Sequence, residues 1–475
     1  MTNYTKTTIC LIFLFALTFN GQAQIDYNKW FTGNTMRLDY FHSGDASQEH
    51  FALDRALNDG LWSGSQTQLI DHLRYGLYFY EISDPKTGSV IYSRGFASIF
   101  GEWQSTPEAE TEWGTFHESL RFPWPKAEIK LTLFKRDGKN IFQPVWTRDI
   151  DPNAIYSNPS VYNNGLKTWA YMNNGPSSQK VDIVVLGDGY SSSQMEKYRR
   201  DVKRLTEELF NTEPFKSRRN DFNVWVVETP SASDGVNKPH PAEFNRTPLS
   251  MSYGAFDSER YLLGFDNRAI RDAASAVPYE FMFIIVNERT YGGGGIYNLY
   301  ATCAADNKFA DYVFVHEFGH HFAALADEYY TSAVSYEAPD ISIEPWEANI
   351  TALKDPNNLK WKNLTASTTP IPTPWDKEAF DNFSYQIQTE RKQIRADKKP
   401  ERVMEELFER ERTHEKEMIS KMKYTGKVGA FEGAGYQPKG LYRAETDCIM
   451  FTRNRQVFCR VCQHTIEEVI NQYTK

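Results

Sequence analysis

The sequence predicts an α+β fold: an antiparallel β-sandwich over residues 24–150, followed by an α/β domain over 151–475. Three observations carry that expectation. Period-two alternation between turn residues marks the first third, and apolar strand-type runs alternate with helical spacing after it. Between them lies DPNAIYSNPSVYNNG at 151–165, rich in Asn, Pro and Ser, as a domain boundary would be.

Ahead of both, MTNYTKTTICLIFLFALTFNGQAQ places Lys6 before an apolar run at 9–19, then the small residues Gly21 and Ala23. This is the pattern of a secretory signal peptide over 1–23. Cys10 sits inside the apolar run rather than at the cleavage point, which does not fit a lipoprotein. No later segment reaches the roughly 18–20 apolar residues of a membrane span. The expectation is an exported protein, periplasmic, cell-surface or secreted, with no transmembrane segment. The chain is 40% hydrophobic and 24% charged, a composition of folded protein. Its formal charge of -9 excludes a concentrated basic footprint for nucleic acid.

Within the first domain, YGLYFYEIS and SVIYSRGFAS flank Asp84-Pro85-Lys86-Thr87-Gly88, a turn sequence. EIKLTLFKR alternates Ile129, Leu131 and Leu133 with polar neighbours and then meets Asp137-Gly138, residues suited to a tight hairpin. No catalytic cluster occurs there, so binding or shielding is the role expected of the sandwich. In the second domain VDIVVLG, FNVWVVE and EFMFIIVN read as buried strands. Met195, Tyr198, Val202, Leu205 and Leu209 repeat at helical spacing between the first two. Gly292 to Gly295 follow the third strand. They suit either a flexible loop or an exposed edge on which an extended peptide adds as a strand. Residues 390–423 are a charged helical insertion whose second helix starts at Pro400. Solvated helix faces are the plain reading, and a lid over a cleft the alternative.

The chemistry concentrates in FVHEFGHHFAALADEYY. Residues four apart share a helix face, so His316 and His320 can offer two imidazole nitrogens to one zinc ion. Glu317, beside them, reaches a water on that ion and acts as general base for attack on a polarised carbonyl. A core helix could carry such histidines without a metal, but the spacing arises by chance on the order of once in a hundred such chains. His321 is turned about 100° from His320 and belongs to packing or hydrogen bonding elsewhere.

A catalytic zinc takes three protein ligands and keeps one position open. Asp327 can be the third only if the helix breaks after about Phe322, because an unbroken helix carries it about 10 Å along the axis. Glu328, Glu344 and Glu347 are the alternatives. A break of this kind resembles the metzincin zinc peptidases, in which a His or Asp ligand follows the second His by six residues after a glycine. Here Ala323 stands in place of that glycine and Asp327 comes one residue later. Met450, in Cys448-Ile449-Met450, is placed to form the methionine turn of such enzymes. Tyr436 and Tyr442, in the glycine-rich loop 429–447, are candidate oxyanion donors. In an oxidising compartment Cys448 is expected to pair with Cys459 or Cys462 in a disulfide. A structural metal at Cys303, Cys448, Cys459 and Cys462 is the alternative.

Taken in order, VVLGDGY, the glycines at 292–295, HEFGHHFAALADEYY, EPWEANIT, GAFEGAGY, and DCIM with FCRVC resemble the IgA-peptidase family of secreted bacterial zinc metallopeptidases. The resemblance runs from about residue 181 to the C-terminus, and the sandwich is similar to the domain preceding the catalytic one in many members. It implies a metzincin-like zincin domain, one Zn2+ at His316 and His320, Glu317 as base, and Asp327 within the Asp-Glu-Tyr that closes the motif. It does not imply IgA as substrate. The expected function is a secreted zinc endopeptidase acting on protein or peptide. The contrasting readings are an inactive surface protein that binds carbohydrate or protein through the sandwich, and a zinc hydrolase of non-peptide amides.

Overall fold

The computed structural model describes residues 25–332, 340–454 and 457–474, so the expected signal peptide lies outside the described residues. The chain is α+β. After a single helical turn, α1 (Tyr27–Trp30), come β1 (Phe31–Gly44), β2 (Glu49–Leu61), β3 (Tyr78–Ser83), β4 (Val90–Phe96), the short helix α2 (Ile99–Trp103), β5 (Gly114–Pro125), β6 (Ile129–Arg136), β7 (Phe142–Ile150) and β8 (Ser157–Val161). They form two four-stranded sheets, ordered β5-β1-β2-β8 and β4-β3-β6-β7. Alternation explains the sandwich: Met36, Leu38, Leu120 and Phe122 of one sheet bury against Tyr80, Ile82, Leu131 and Leu133 of the other.

Two details differ from the sequence reading. The Asn- and Pro-rich stretch at 151–165 contains β8, which pairs parallel with β2, so not every pairing in the sandwich is antiparallel. The hairpin between β6 and β7 does not turn on Asp137-Gly138. Asp137 and Ile141 close a longer loop in which Asn140 has positive φ, and the Asp137 carboxylate accepts from the Lys139 and Ile141 amides.

The second domain is built on a mixed six-stranded sheet. Its elements are β9 (Lys167–Met172), β10 (Val181–Asp188), α3 (Met195–Asn211), β11 (Phe222–Glu228), the two-residue pair β12 (Met251–Ser252) and β13 (Leu263–Gly264), α4 (Asn267–Ala274), β14 (Phe281–Val286), β15 (Gly293–Ile296), β16 (Tyr300–Ala304) and α5 (Ala310–Ala323). The sheet order is β15-β16-β14-β10-β11-β9. The four inner strands are parallel, and β15 and β9 close the edges antiparallel. Every residue of β10 and β14 is buried, as unbroken apolar runs require when both sheet faces are covered. Helix α5 lies across β15 and β16, with Phe314 stacked on Phe283 of β14 at 3.8 Å between ring centroids.

The remaining elements are β17 (Ile350–Thr351), α6 (Lys377–Ala396), α7 (Glu401–Ser420), β18 (Phe431–Ala434), β19 (Gln437–Arg443) and α8 (Arg460–Thr474). The charged helical hairpin begins at Lys377, earlier than residue 390, and α7 begins directly after Pro400. It is not solvated all round. Met404, Leu407 and Phe408 are buried, Phe408 packs edge-on against Tyr291 at 5.0 Å, and Glu411 pairs with Arg453 at 2.7 Å. Its charge pattern hid this apolar stripe.

The sandwich is joined to the second domain through buried charge. Arg37 meets Asp59 at 3.2 Å and reaches across to Asp272 at 2.7 Å, while Arg121 bonds Asp59 at 2.8 Å and the Tyr279 carbonyl at 2.7 Å. Removing one partner strands the others in low dielectric. Arg37→Ala is therefore expected to lower unfolding free energy by about 3–5 kcal/mol, read by urea denaturation. A loss under about 1 kcal/mol would show that the network is solvated.

Candidate active site

Helix α5 supplies two of the converging groups. His316 Nδ1 lies 2.9 Å from the Ile449 carbonyl, and His320 Nδ1 bonds the Leu325 carbonyl. A carbonyl can only accept, so each Nδ1 carries the proton and each Nε2 presents a lone pair. The two Nε2 atoms stand 3.2 Å apart.

The third group arrives by a backbone reversal. Helix α5 stops at Ala323, and Ala324 takes the left-handed conformation (φ 53°, ψ 33°) with its N–H returning to the Gly319 and His320 carbonyls. For a residue with a Cβ this conformation costs roughly 1–2 kcal/mol. The reversal sets Asp327 Oδ1 3.1 Å from His316 Nε2 and 3.2 Å from His320 Nε2. Asp327 Oδ2 is held by the Tyr436 hydroxyl, and the Gly435 amide donates to the Asp327 carbonyl at 3.0 Å.

This arrangement fits a metal ion on its own chemistry. Asp327 Oδ1 is buried without a hydrogen-bond donor, and it faces two lone pairs. Three acceptors in contact repel unless a proton or a cation lies between them. Without a cation the Asp327 carboxylate would have to hold His320 protonated against the cost of its burial, and the balance raises the His320 pKa to about 9. A triangle of this size has a circumradius of about 1.8 Å, just under a zinc–ligand bond of about 2.0–2.1 Å.

Glu317 offers a carboxylate oxygen within 4.8 Å of both imidazole nitrogens. Burial pushes its pKa up, and His316 and His320 oppose that shift. All four groups line a cleft of about 350 Å³. One wall is the glycine strand: a Cβ on Gly295 would stand 2.3 Å from the Glu317 carbonyl oxygen, so only glycine lets β15 lie this close to α5. Gly293 exchanges backbone bonds with Arg260 and Leu262, which covers that end of the edge. Alternate residues direct their backbone groups to one side, so the N–H and C=O of Gly295 point along the same edge, in the cleft.

The other expected residues separate. His321 accepts from the Met282 amide at 3.0 Å and donates to the Ile296 carbonyl, a core role that ties α5 to the sheet. Met450 packs its sulfur 3.1 Å from where a Cβ on Gly319, between His316 and His320 in sequence, would stand, and its carbonyl accepts from the Glu328 amide at 2.8 Å. Glu328 turns away toward the cysteines, Glu344 pairs with Lys360 at 3.1 Å, and Glu347 lines the cleft. Tyr442 sits in β19 opposite Glu432 and Thr351, apart from the cleft lining. No disulfide joins Cys448, Cys459 and Cys462; the Cys448 and Cys462 sulfurs stand 3.8 Å apart. Cys303 is buried in β16 and does not join them.

Three contributors were not singled out from the sequence. Tyr329 stacks near His316 and meets Tyr436 edge-on at 5.3 Å between ring centroids, and Arg260 approaches its hydroxyl at 3.5 Å. Glu102, from the sandwich, also lines the cleft, and burial raises its pKa to about 7. The Asp-Glu-Tyr sequence could have pointed to Tyr329; nothing local points to the other two.

Residues 170–470 match the family described as IgA Peptidase M64, and residues 26–147 match the family described as Peptidase M64 N-terminus. No curated protein matches the chain.

Two outcomes test this geometry. Ala324→Gly is expected to stabilise the fold by about 0.5–1 kcal/mol, because relief of strain exceeds the added chain entropy; destabilisation would contradict the left-handed turn. Burial depresses the pKa of His321 from 6.5 to about 3, so its contribution to stability is complete above the unfolded value and is lost as pH falls toward about 3. With chelator present, His321→Gln is expected to lose about 2 kcal/mol less stability than the parent between pH 7 and pH 5. Equal losses would place His321 in water.

Proposed function

The chain belongs to the IgA peptidase M64 family, and from that premise we propose that it is an exported zinc endopeptidase. Membership makes it a peptidase, with protein or peptide as substrate. In this reading His316, His320 and Asp327 hold one Zn2+, and Glu317 is the general base. The observation that carries it is the meeting of three lone-pair donors, His316 and Asp327 buried and His320 partly buried, at 3.1–3.2 Å, with a carboxylate beside them in a cleft.

Zinc bound there would supply Lewis acidity toward a substrate carbonyl and lower the pKa of a water to about 7. The chain's own groups do the rest. Glu317 accepts a proton from the attacking water and can deliver it to the leaving amine. Its elevated pKa brings it closer to the working pH than an exposed glutamate would be. Tyr436 fixes Asp327 by one oxygen and leaves the other for the ion. The Ile449 and Leu325 carbonyls fix both imidazole tautomers. Gly295 offers the backbone pair on which an extended peptide can add beside the ligands, which favours peptide over smaller amides. Ala97, Ser98 and Glu102 extend the cleft wall, supporting a shielding or substrate-positioning role for the sandwich.

The reversal at Ala324 supports a metzincin-like frame stretched by one residue. The turn residue and the ligand are both displaced by one from the family pattern, which keeps the distance between them. Residues 1–23 are proposed to direct export; among the described residues no helix is long and apolar enough to cross a membrane.

Incubation with a diverse peptide library, read by mass spectrometry, tests the reading. Chelator is expected to abolish cleavage. Glu317→Gln is expected to lower kcat/KM by about 10²–10⁴-fold with zinc retained, and Asp327→Ala to lose bound zinc. Equal cleavage by Glu317→Gln would remove the assigned base, and undiminished zinc in Asp327→Ala would remove the third ligand.

A further inference from the structure

Directly behind the catalytic ligands, Glu328, Cys448, Cys459 and Cys462 bring four donor atoms within 4.8 Å of one another, and all four residues are buried. They come from three separate segments: the turn after α5, the loop that carries Met450, and the start of α8. Cys448 and Cys462 sulfurs are 3.8 Å apart, while Glu328 Oε1 lies 3.2 Å from the Cys462 sulfur and 3.8 Å from that of Cys459. Tetrahedral zinc with Zn–S bonds of about 2.3 Å places neighbouring sulfurs about 3.8 Å apart, and a sulfur and a carboxylate oxygen about 3.5 Å apart. A disulfide would need about 2.05 Å.

Backbone amides donate to two of the three sulfurs. The Met450 and Cys459 amides donate to Cys448 Sγ at 3.5 and 3.2 Å, and the Cys462 amide donates to Cys459 Sγ at 3.5 Å. Cys459-x-x-Cys462 opens α8, where the helix N-terminus favours thiolate. The other carboxylate oxygen of Glu328 is buried without a hydrogen-bond partner. Arg443, buried nearby, directs Nη1 to the Gly433 carbonyl at 2.7 Å and stacks on Phe451, so it supplies positive charge to this region while bonding elsewhere.

We infer that Cys448, Cys459, Cys462 and Glu328 form a second, structural zinc site, distinct from the catalytic one. Cys303, the fourth ligand suggested by cysteine count, is replaced by Glu328. The consequence is mechanical. Glu328 adjoins Asp327, its amide bonds the Met450 carbonyl at 2.8 Å, and Cys448 begins the turn whose Ile449 carbonyl orients His316. One ion would therefore clamp both the segment bearing the third catalytic ligand and the segment that sets the tautomer of the first. The site stands or falls independently of peptidase activity.

The test uses the full-length chain, purified without chelator or reductant. Elemental analysis is expected to give two zinc per chain, and X-ray absorption at the zinc edge a sulfur shell at about 2.3 Å. In His316→Ala/His320→Ala one zinc should remain, with its sulfur shell strengthened. In Glu328→Gln/Cys448→Ser the count should fall from two to one, leaving nitrogen and oxygen ligands; the parent and the histidine variant decide the question even if this one does not fold. Zinc without sulfur ligation would overturn the inference. So would two cysteines that titrate in denaturant with chelator only after reduction, since they would identify a disulfide.

Discussion

The site depends on one constraint: three lone-pair donors must be held in contact, and the chain must reverse within four residues of an α-helix to bring the third. His316 and His320 are placed by helical periodicity alone. Asp327 is placed by a left-handed alanine, an unfavourable local choice that persists because its surroundings over-determine it. The Tyr436 hydroxyl and the Gly435 amide grip Asp327 from the glycine-rich loop, and Asn349 brackets the same turn by bonding the Ala326 amide at 2.8 Å and carbonyl at 2.9 Å. Local strain is thus balanced by contacts from segments far along the chain.

Next to His316 and Gly319 the 448–450 turn links these parts. Its carbonyls receive His316 from above and the Glu328 amide from the side, and Met450 packs on Gly319 between the two histidines. The sandwich completes the cleft. Its β4 end meets the β15–β16 loop, with Ala97 N–H bonding the Tyr297 carbonyl at 2.9 Å and Asn298 bonding the Gly95 carbonyl at 3.1 Å. The glycine edge is thereby fixed between the two domains, and Glu102 reaches a site to which the first domain contributes no expected ligand.

What was legible in the sequence follows from the range of each interaction. The i, i+4 pair, the buried strands β10, β11 and β14, and the helix start after Pro400 rest on local periodicity or local backbone restriction. The need for a break before Asp327 was legible because an unbroken helix cannot reach. Its position was not, since alanine carries no mark of a left-handed turn. The pairing of β8 with the sandwich, the burial of Leu407 and Phe408 in a charged helix, and Glu102 all depend on partners more than a hundred residues away or on one face of an element. Cysteine spacing indicated a cluster, but the choice between disulfide and metal turned on Glu328, which spacing cannot supply.

The most direct test of the account is a crystal structure of the zinc-loaded full-length chain with anomalous differences measured on either side of the zinc edge. The account predicts a peak about 2 Å from His316 Nε2, His320 Nε2 and Asp327 Oδ1, with the Glu317 carboxylate close by but outside the first coordination sphere. A peak bound by Glu347 or Glu102 in place of Asp327, or no peak at the histidine pair, would contradict it.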